Sequence, residues 1–289
     1  MSPESNPEVA EASFGEVHII EPSTAHTHTA IMLHGRGSNG PEFADELAET
    51  VAPGQTPLVQ RFPGWRWVFP SSQELWSTAF EEMLPAWFEA HSLTDPTTRE
   101  ELQMGGIRES VDYLRGIIDQ EVARLRGDHG KVVLMGISQG GAIGMLTLLS
   151  QGGLGKPLGA FVGTSTWLPF AANISRCLAK DESGQEVGDK GPDSSNPSDA
   201  FVRGLVPSWD RFAAARIPIL LGHGVDDPVV EVELGRQARE TLAGVGLEAE
   251  WREYSGAELD GHWFKAPEQI DDIAEFLARV TLGSGERAS

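Results

Sequence analysis

Lys131 to Ile137 (KVVLMGI) is a short, unbroken apolar run that turns through Gly136-Ile-Ser138-Gln-Gly140-Gly141 into a second apolar stretch, Ala142 to Leu149. A run of that length suits a strand buried on both faces, and the stretch after it suits a buried helix. A serine flanked by glycines two residues away on either side then sits on a sharp strand-to-helix turn. Side chains at the glycine positions would collide in so tight a bend, and the serine hydroxyl is thrown clear above the sheet. The helix N-terminus directly below favours negative charge developing there. A glycine-rich turn that merely packs a helix on a sheet would share this pattern. The strand before it and the helix after it favour a nucleophile.

The same alternation recurs along the chain. Thr29 to Leu33 (TAIML), Trp65 to Phe69 (WRWVF), Leu158 to Gly163 (LGAFVG) and Ile217 to Leu221 (IPILL) are short apolar runs, and Glu248 to Tyr254 is strand-like. Between them, Ile107, Val111, Leu114, Ile118, Val122 and Leu125 recur at three or four residues and form a helix stripe. That helix is expected to start near Thr97, with Glu100 completing a capping box, and to break or kink at Gly105-Gly106. A last helix follows Pro267, with Ile270, Ile273, Phe276 and Leu277 on one side. Strands alternating with helices indicate an α/β fold with a largely parallel sheet.

Two stretches break the alternation. Residues 1–12 read as a disordered tail, and 284–289 as a second short one. Asp181 to Ala200 (DESGQEVGDKGPDSSNPSDA) carries six acids and one lysine with almost nothing to bury, so it reads as a mobile insertion. Because apolar segments resume on both sides of it, 13–283 is expected to be one domain with an insertion at 181–200.

Acids outnumber bases 43 to 22, giving a formal charge of −21. Such a chain is repelled by nucleic-acid backbones and anionic membrane surfaces, so neither is an expected partner. A single cysteine, Cys177, excludes an internal disulfide framework and a multi-cysteine zinc site. The N-terminus lacks a basic region followed by an apolar run, and no apolar stretch approaches the roughly 18 residues of a membrane span. A soluble, acidic, cytoplasmic protein is expected, with oligomeric state left open.

A serine nucleophile needs a base, and on a strand–turn–helix elbow the chain order is serine, acid, histidine. Of the eight histidines only His262, in Asp260-Gly-His-Trp-Phe, follows every other part. The strand-like run 217–221 leads into Gly222-His-Gly-Val-Asp226-Asp227-Pro228, so both aspartates are placed to orient an imidazole. His223 reads as a structural hydrogen-bonding residue. The oxyanion of acyl transfer needs two donors. One is the backbone N–H of Gln139, directly after the nucleophile. The other is that of Arg36, in the glycine-rich His34-Gly-Arg-Gly loop. A metal site at His26, His28 and His34 is disfavoured by poor spacing and by the lack of accompanying carboxylates.

In combination these pieces resemble the phospholipase/carboxylesterase family of α/β-hydrolases, which includes the acyl-protein thioesterases. The matching motifs are Leu33-His-Gly-Arg-Gly, Phe69-Pro-Ser, Trp87-Phe88, Gly136-Ile-Ser-Gln-Gly-Gly, Thr166-Trp-Leu-Pro169, His223-Gly-Val-Asp-Asp-Pro-Val-Val230 and Gly261-His262, in one order over roughly 15–280. The resemblance implies an α/β-hydrolase fold and selects Asp227, directly before proline, as the triad acid. It also implies Arg36 and Gln139 as the oxyanion donors and places Trp167 beside the acyl site. The chain departs from the family pattern at Arg36, where thioesterases usually carry an apolar residue. It departs again at Trp263-Phe264, after the histidine, and in the acidic insertion. These departures bear on substrate choice.

Of the aromatic residues near the expected catalytic edge (Trp76, Phe80, Trp87, Trp167, Trp263, Phe264), most are expected to fill core. Trp167, Trp263 and Phe264 are expected to wall an acyl site. The expected activity is hydrolysis of a small-molecule or protein-linked acyl ester or thioester, with neither cofactor nor metal. The alternatives are a catalytically silent acyl-binding scaffold, or lactone or amide cleavage on the same triad.

Overall fold

The computed structural model describes residues 13–92, 94–151, 157–178, 196–206 and 217–285. Seven strands form one sheet in the order β1 (Val17–Ile20), β3 (Trp65–Pro70), β2 (His28–Leu33), β6 (Val132–Ile137), β7 (Ala160–Thr164), β8 (Ile219–Gly224) and β9 (Ala249–Tyr254). Every pairing is parallel except β1 with β3. The expected α/β architecture is therefore present. Its antiparallel edge strand β1, and a separate hairpin of β4 (Gln73–Ser77) and β5 (Glu82–Ala86), were not anticipated from the apolar runs. In β4 only Leu75 and Trp76 are apolar, and β5 carries Pro85 within it, which argues against a strand in sequence.

The central strands are apolar throughout because both faces are covered. Along β2, Ile31 and Leu33 point into one core while Ala30 and Met32 point into the other; along β6, Val132 and Leu134 oppose Val133, Met135 and Ile137. The first core is closed by α2 (Gln103–Arg124) and α3 (Gln139–Ser150), the second by α1 (Gly40–Glu49) and the C-terminal helix α7 (Glu268–Gly285). Between β7 and β9 lie α4 (Ala171–Leu178), α5 (Pro197–Leu205) and α6 (Val232–Gly244). Every residue of α3 is buried, as expected of a helix apolar all round.

Three boundaries differ from the sequence expectation. The long helix begins at Gln103 after a 3₁₀ turn at Glu100–Leu102, and the threonines upstream bond to Asp95 instead: Thr97 Oγ1 donates to Asp95 Oδ1 at 2.6 Å. The helix runs unbroken through Gly105-Gly106. Gly106 is there because α2 crosses Phe88 closely, and a Cβ would lie 2.8 Å from the Phe88 Cα. The C-terminal helix extends to Gly285, into the stretch 284–289 expected as a tail. Of the acidic stretch 181–200, residues 181–195 lie outside the described residues, as does the tail 1–12. Asn196 caps α5, which begins at Pro197 inside that stretch.

The strand order reverses between β2 and β6: from β2 the chain goes outward to β3, and β6 then returns to the other side. In a parallel sheet the loops leaving two such strands diverge and open a crevice at their C-terminal ends. The loops that begin at His34 and Ser138 leave the sheet there, from neighbouring strands in register at Leu33 and Gly136.

Candidate active site

Ser138 stands at the β6–α3 turn with φ 53° and ψ −126°, outside the usual range for an L-residue. Strain of this kind costs on the order of 1–3 kcal/mol and persists only where its surroundings enforce it. Here they do. A Cβ on Gly136 would lie 2.5 Å from the Gly140 carbonyl carbon, and one on Gly141 would meet Thr166 at 2.7 Å. One on Gly140 would run into the carbonyls of Leu33 and His34. Thr166 Oγ1 also donates to the Ser138 carbonyl at 2.7 Å, and the Ser138 N–H bonds the Thr164 carbonyl at 2.9 Å.

His262 follows β9 and Asp227 follows β8, so both come to the same C-terminal edge of the sheet. His262 Nδ1–H donates to Asp227 Oδ2 at 2.7 Å, the bond that makes Nε2 the basic nitrogen of the neutral ring. The other carboxylate oxygen accepts the backbone N–H groups of Val229 at 2.9 Å and Val230 at 3.0 Å. The Asp227 side chain is fully buried. Burial raises its pKa, but the bonds from His262 and the two N–H groups outweigh it and hold the carboxyl below its ordinary value.

Geometry also separates the paired aspartates. Asp226 turns the other way and accepts the Gly256 N–H at 2.7 Å, tying the loop before His262 to the β8 edge. His223 is inside β8, with its Nε2–H donating to the Val230 carbonyl at 2.8 Å. Desolvation pushes its pKa down, so it stays neutral and serves as a structural partner.

Ser138, His262, Arg36 and Gly35 line one cleft of about 300 Å³, with Phe43, Ile137, Val229, Leu259 and Trp263 as its apolar wall. Among the described residues no hydrogen bond joins the Ser138 hydroxyl to the His262 ring; such contacts are often long in ligand-free hydrolases and close on substrate. The Ser138 Oγ sits on the side of the glycine loop, where a Cβ on Gly35 would approach it to 3.9 Å. Neither the Arg36 nor the Gln139 backbone N–H is taken by a carbonyl among the described residues.

His34, just before this loop, is wholly buried and bonded at both nitrogens: Nδ1–H donates to the Gly35 carbonyl at 2.7 Å, and Nε2 accepts the Ser72 N–H at 3.0 Å. Desolvation pushes its pKa down to about 4. With both nitrogens occupied it is no metal ligand, and no metal-binding cluster exists among the described residues.

Of the three residues expected to wall an acyl site, only Trp263 lines the cleft, its indole N–H anchored on Thr50 Oγ1 at 2.8 Å. Phe264 turns inward and stacks near Phe43 in the core. Trp167 is buried against Phe88 and is not part of the cleft lining. Adjacent residues on an irregular loop point to opposite sides, and aromatic character alone does not say which side. Phe43, Val229 and Leu259 were not singled out from sequence, since apolar residues at helix and loop positions carry no mark of which ones face a cleft.

Comparison with known proteins bears on the family and the fold. A family model described as Phospholipase/Carboxylesterase matches residues 15–181. An acyl-protein thioesterase 1 of Gibberella zeae is 26% identical over 90% of this chain and 94% of its own. A protein of Oryza sativa subsp. japonica described as a probable inactive carboxylesterase is 25% identical over 81% of this chain and 80% of its own. The crystal structure of Zea mays acyl-protein thioesterase 2 superposes with a TM-score of 0.64 at 24% identity, covering 92% of this chain and 99% of that one, a likeness of fold.

Proposed function

The chain belongs to the phospholipase/carboxylesterase family of α/β-hydrolases and is an ester or thioester hydrolase, and we propose that it works through a Ser138-Asp227-His262 triad with an acyl-enzyme intermediate. The observation that carries this reading is the 2.7 Å bond from His262 Nδ1–H to Asp227, with His262 and the strained Ser138 lining one cleft. Ser138 attacks the acyl carbonyl as His262 Nε2 takes its proton. Asp227 fixes the tautomer and stabilises the imidazolium that results. The tetrahedral oxyanion is held by the backbone N–H groups of Arg36 and Gln139, each worth on the order of 3 kcal/mol in the transition state. The imidazolium returns its proton to the leaving oxygen or sulfur, and water then repeats the sequence on the acyl-enzyme.

The apolar wall of Phe43, Ile137, Val229, Leu259 and Trp263 suits an acyl chain, each buried methylene contributing about 0.8 kcal/mol. The thioesterase relatives support an acyl-protein thioesterase-like or carboxylesterase-like substrate, protein-linked or small. No helix among the described residues is long and apolar enough to cross a membrane.

A second reading, a catalytically silent acyl-binding scaffold, draws support from the rice relative described as inactive. One experiment separates the two. Wild type should be labelled by a fluorophosphonate probe and hydrolyse short p-nitrophenyl esters, with both lost in Ser138→Ala. Unchanged labelling of that variant removes the triad mechanism, and an unreactive wild type that still binds acyl ligands supports the scaffold.

A further inference from the structure

Arg36 contributes more to the cleft than its backbone. The residue is half-buried and lines the cleft together with Ser138 and His262. One donor is spent: Nη1 bonds the Ala90 carbonyl at 3.0 Å, and the guanidinium lies over the Phe80 ring at 4.9 Å. The nearby Glu89 acts on it through space, and its Oε1 accepts the N–H and hydroxyl of Thr78 at 2.9 and 2.8 Å. Among the described residues no carboxylate pairs with Arg36, and none of its remaining donors is sealed from solvent.

A half-buried cation without a counter-ion is costly to keep. Burial accordingly pulls the guanidinium pKa down, with Glu89 opposing. The chain holds 43 acids against 22 bases, yet among the described residues none of those carboxylates is within ion-pair distance of this guanidinium. The other charged group on the cleft wall is Glu46, and past Trp263 and Leu259 the cleft adjoins a groove lined by Glu46, Glu49 and Glu258. The cleft therefore carries both signs of charge, with a forked cation on the oxyanion loop and carboxylates where it meets the adjoining groove. A guanidinium fork matches a carboxylate bidentately, whereas the Glu-lined end repels one.

We propose that Arg36 is a specificity-determining residue whose guanidinium binds a carboxylate borne by the substrate a few bonds from its scissile carbonyl, orienting that anionic end away from Glu46. The inference rests on the serine-hydrolase reading of the cleft and adds a substrate class to it: esters or thioesters with an anionic acyl or leaving group.

The test compares matched substrate pairs. On the acyl side, kcat/KM is measured for mono-p-nitrophenyl adipate and p-nitrophenyl hexanoate, whose acyl chains differ only by a terminal carboxylate. On the leaving-group side, m-carboxyphenyl hexanoate is compared with phenyl hexanoate. Taking the anionic-to-neutral ratio within each variant removes any damage to the oxyanion loop, which affects both substrates of a pair alike. On at least one arm, wild type should favour the anionic substrate. There the ratio should fall about 10- to 100-fold in Arg36→Leu and by a smaller factor in Arg36→Lys, which keeps the charge but loses the fork. The arm that responds identifies which side of the substrate carries the charge. In wild type the same ratio should drop at ~0.5 M NaCl, a result that needs no variant to fold. Ratios that ignore both Arg36→Leu and salt on both arms overturn the proposal. Turnover of all four esters by Ser138→Ala would instead overturn the serine mechanism beneath it.

Discussion

Gln139 Oε1 accepts the backbone N–H of Trp87 at 2.9 Å. The same amide donates through Nε2 to the Phe88 carbonyl at 2.8 Å, while Arg36 Nη1 reaches the Ala90 carbonyl at 3.0 Å. The two residues proposed as oxyanion donors thus send their side chains to one segment, 87–90. That segment is tied down in turn: the Trp87 indole N–H bonds the His34 carbonyl at 2.9 Å, and Ser110 Oγ donates to the Trp87 carbonyl at 2.6 Å. A single stretch of backbone between the hairpin and α2 therefore sets the spacing of both donors.

Replacing Gln139 by leucine should strand the Trp87 N–H and the Phe88 carbonyl in a site where Gln139 itself is wholly buried. Two orphaned buried groups cost about 2–4 kcal/mol together, read as a lowered midpoint in urea unfolding. Gln139→Glu should be worse than leucine at neutral pH, because a carboxylate oxygen would then face the Phe88 carbonyl. In either variant kcat should fall more than KM rises, since the oxyanion is bound only in the transition state. A stability equal to wild type would show that the amide bridge does not hold this segment.

Asp227→Asn should lower kcat by about 10³- to 10⁴-fold, and the bond pattern says why. The N–H groups of Val229 and Val230 both point at Oδ1, so they select the amide oxygen for that position. The amide NH₂ is then turned toward His262 Nδ1 and forces the proton onto Nε2, the atom that must act as base. Asp226→Asn keeps an oxygen for the Gly256 N–H and should leave kcat within about threefold of wild type. Steady-state kinetics on a p-nitrophenyl ester distinguishes them, and equal losses at both positions would contradict the assignment of roles.

The parallel sheet was legible because its strands are buried on both faces and therefore uninterrupted in sequence, as Val132–Ile137 shows. Ser138 was legible for a related reason: the glycines around it are demanded by contacts within a few residues along the chain or on the adjacent strand. The hairpin at 73–86 was not, since its first strand is mostly polar and its second contains Pro85. Sequence order alone left Asp226 and Asp227 open. What separates them is the direction each side chain takes at the end of β8, toward Gly256 or toward His262. The same limit applies to Trp263 and Phe264, neighbours on one loop of which only the first reaches the cleft.

His34 makes stability depend on pH, and the sign follows from its bonding. Its Nε2 must be unprotonated to accept the Ser72 N–H, and its pKa falls from 6.5 to about 4 on folding. Between those values the unfolded chain takes up a proton that the folded protein refuses, so acid favours unfolding. The stabilisation is complete above about pH 6.5 and is lost as pH falls toward 4, amounting to about 2 kcal/mol between pH 7 and pH 5. His28 and His223, also lowered by burial, add slopes of the same sign, so the variant and not wild type alone isolates this residue. Urea unfolding at pH 7 and pH 5 should show a smaller acid loss in His34→Gln than in wild type, by roughly that amount. Identical losses in both proteins would mean that His34 takes up its proton without disturbing the bonds to Ser72 and Gly35, and that the oxyanion loop it precedes is not what acid opens.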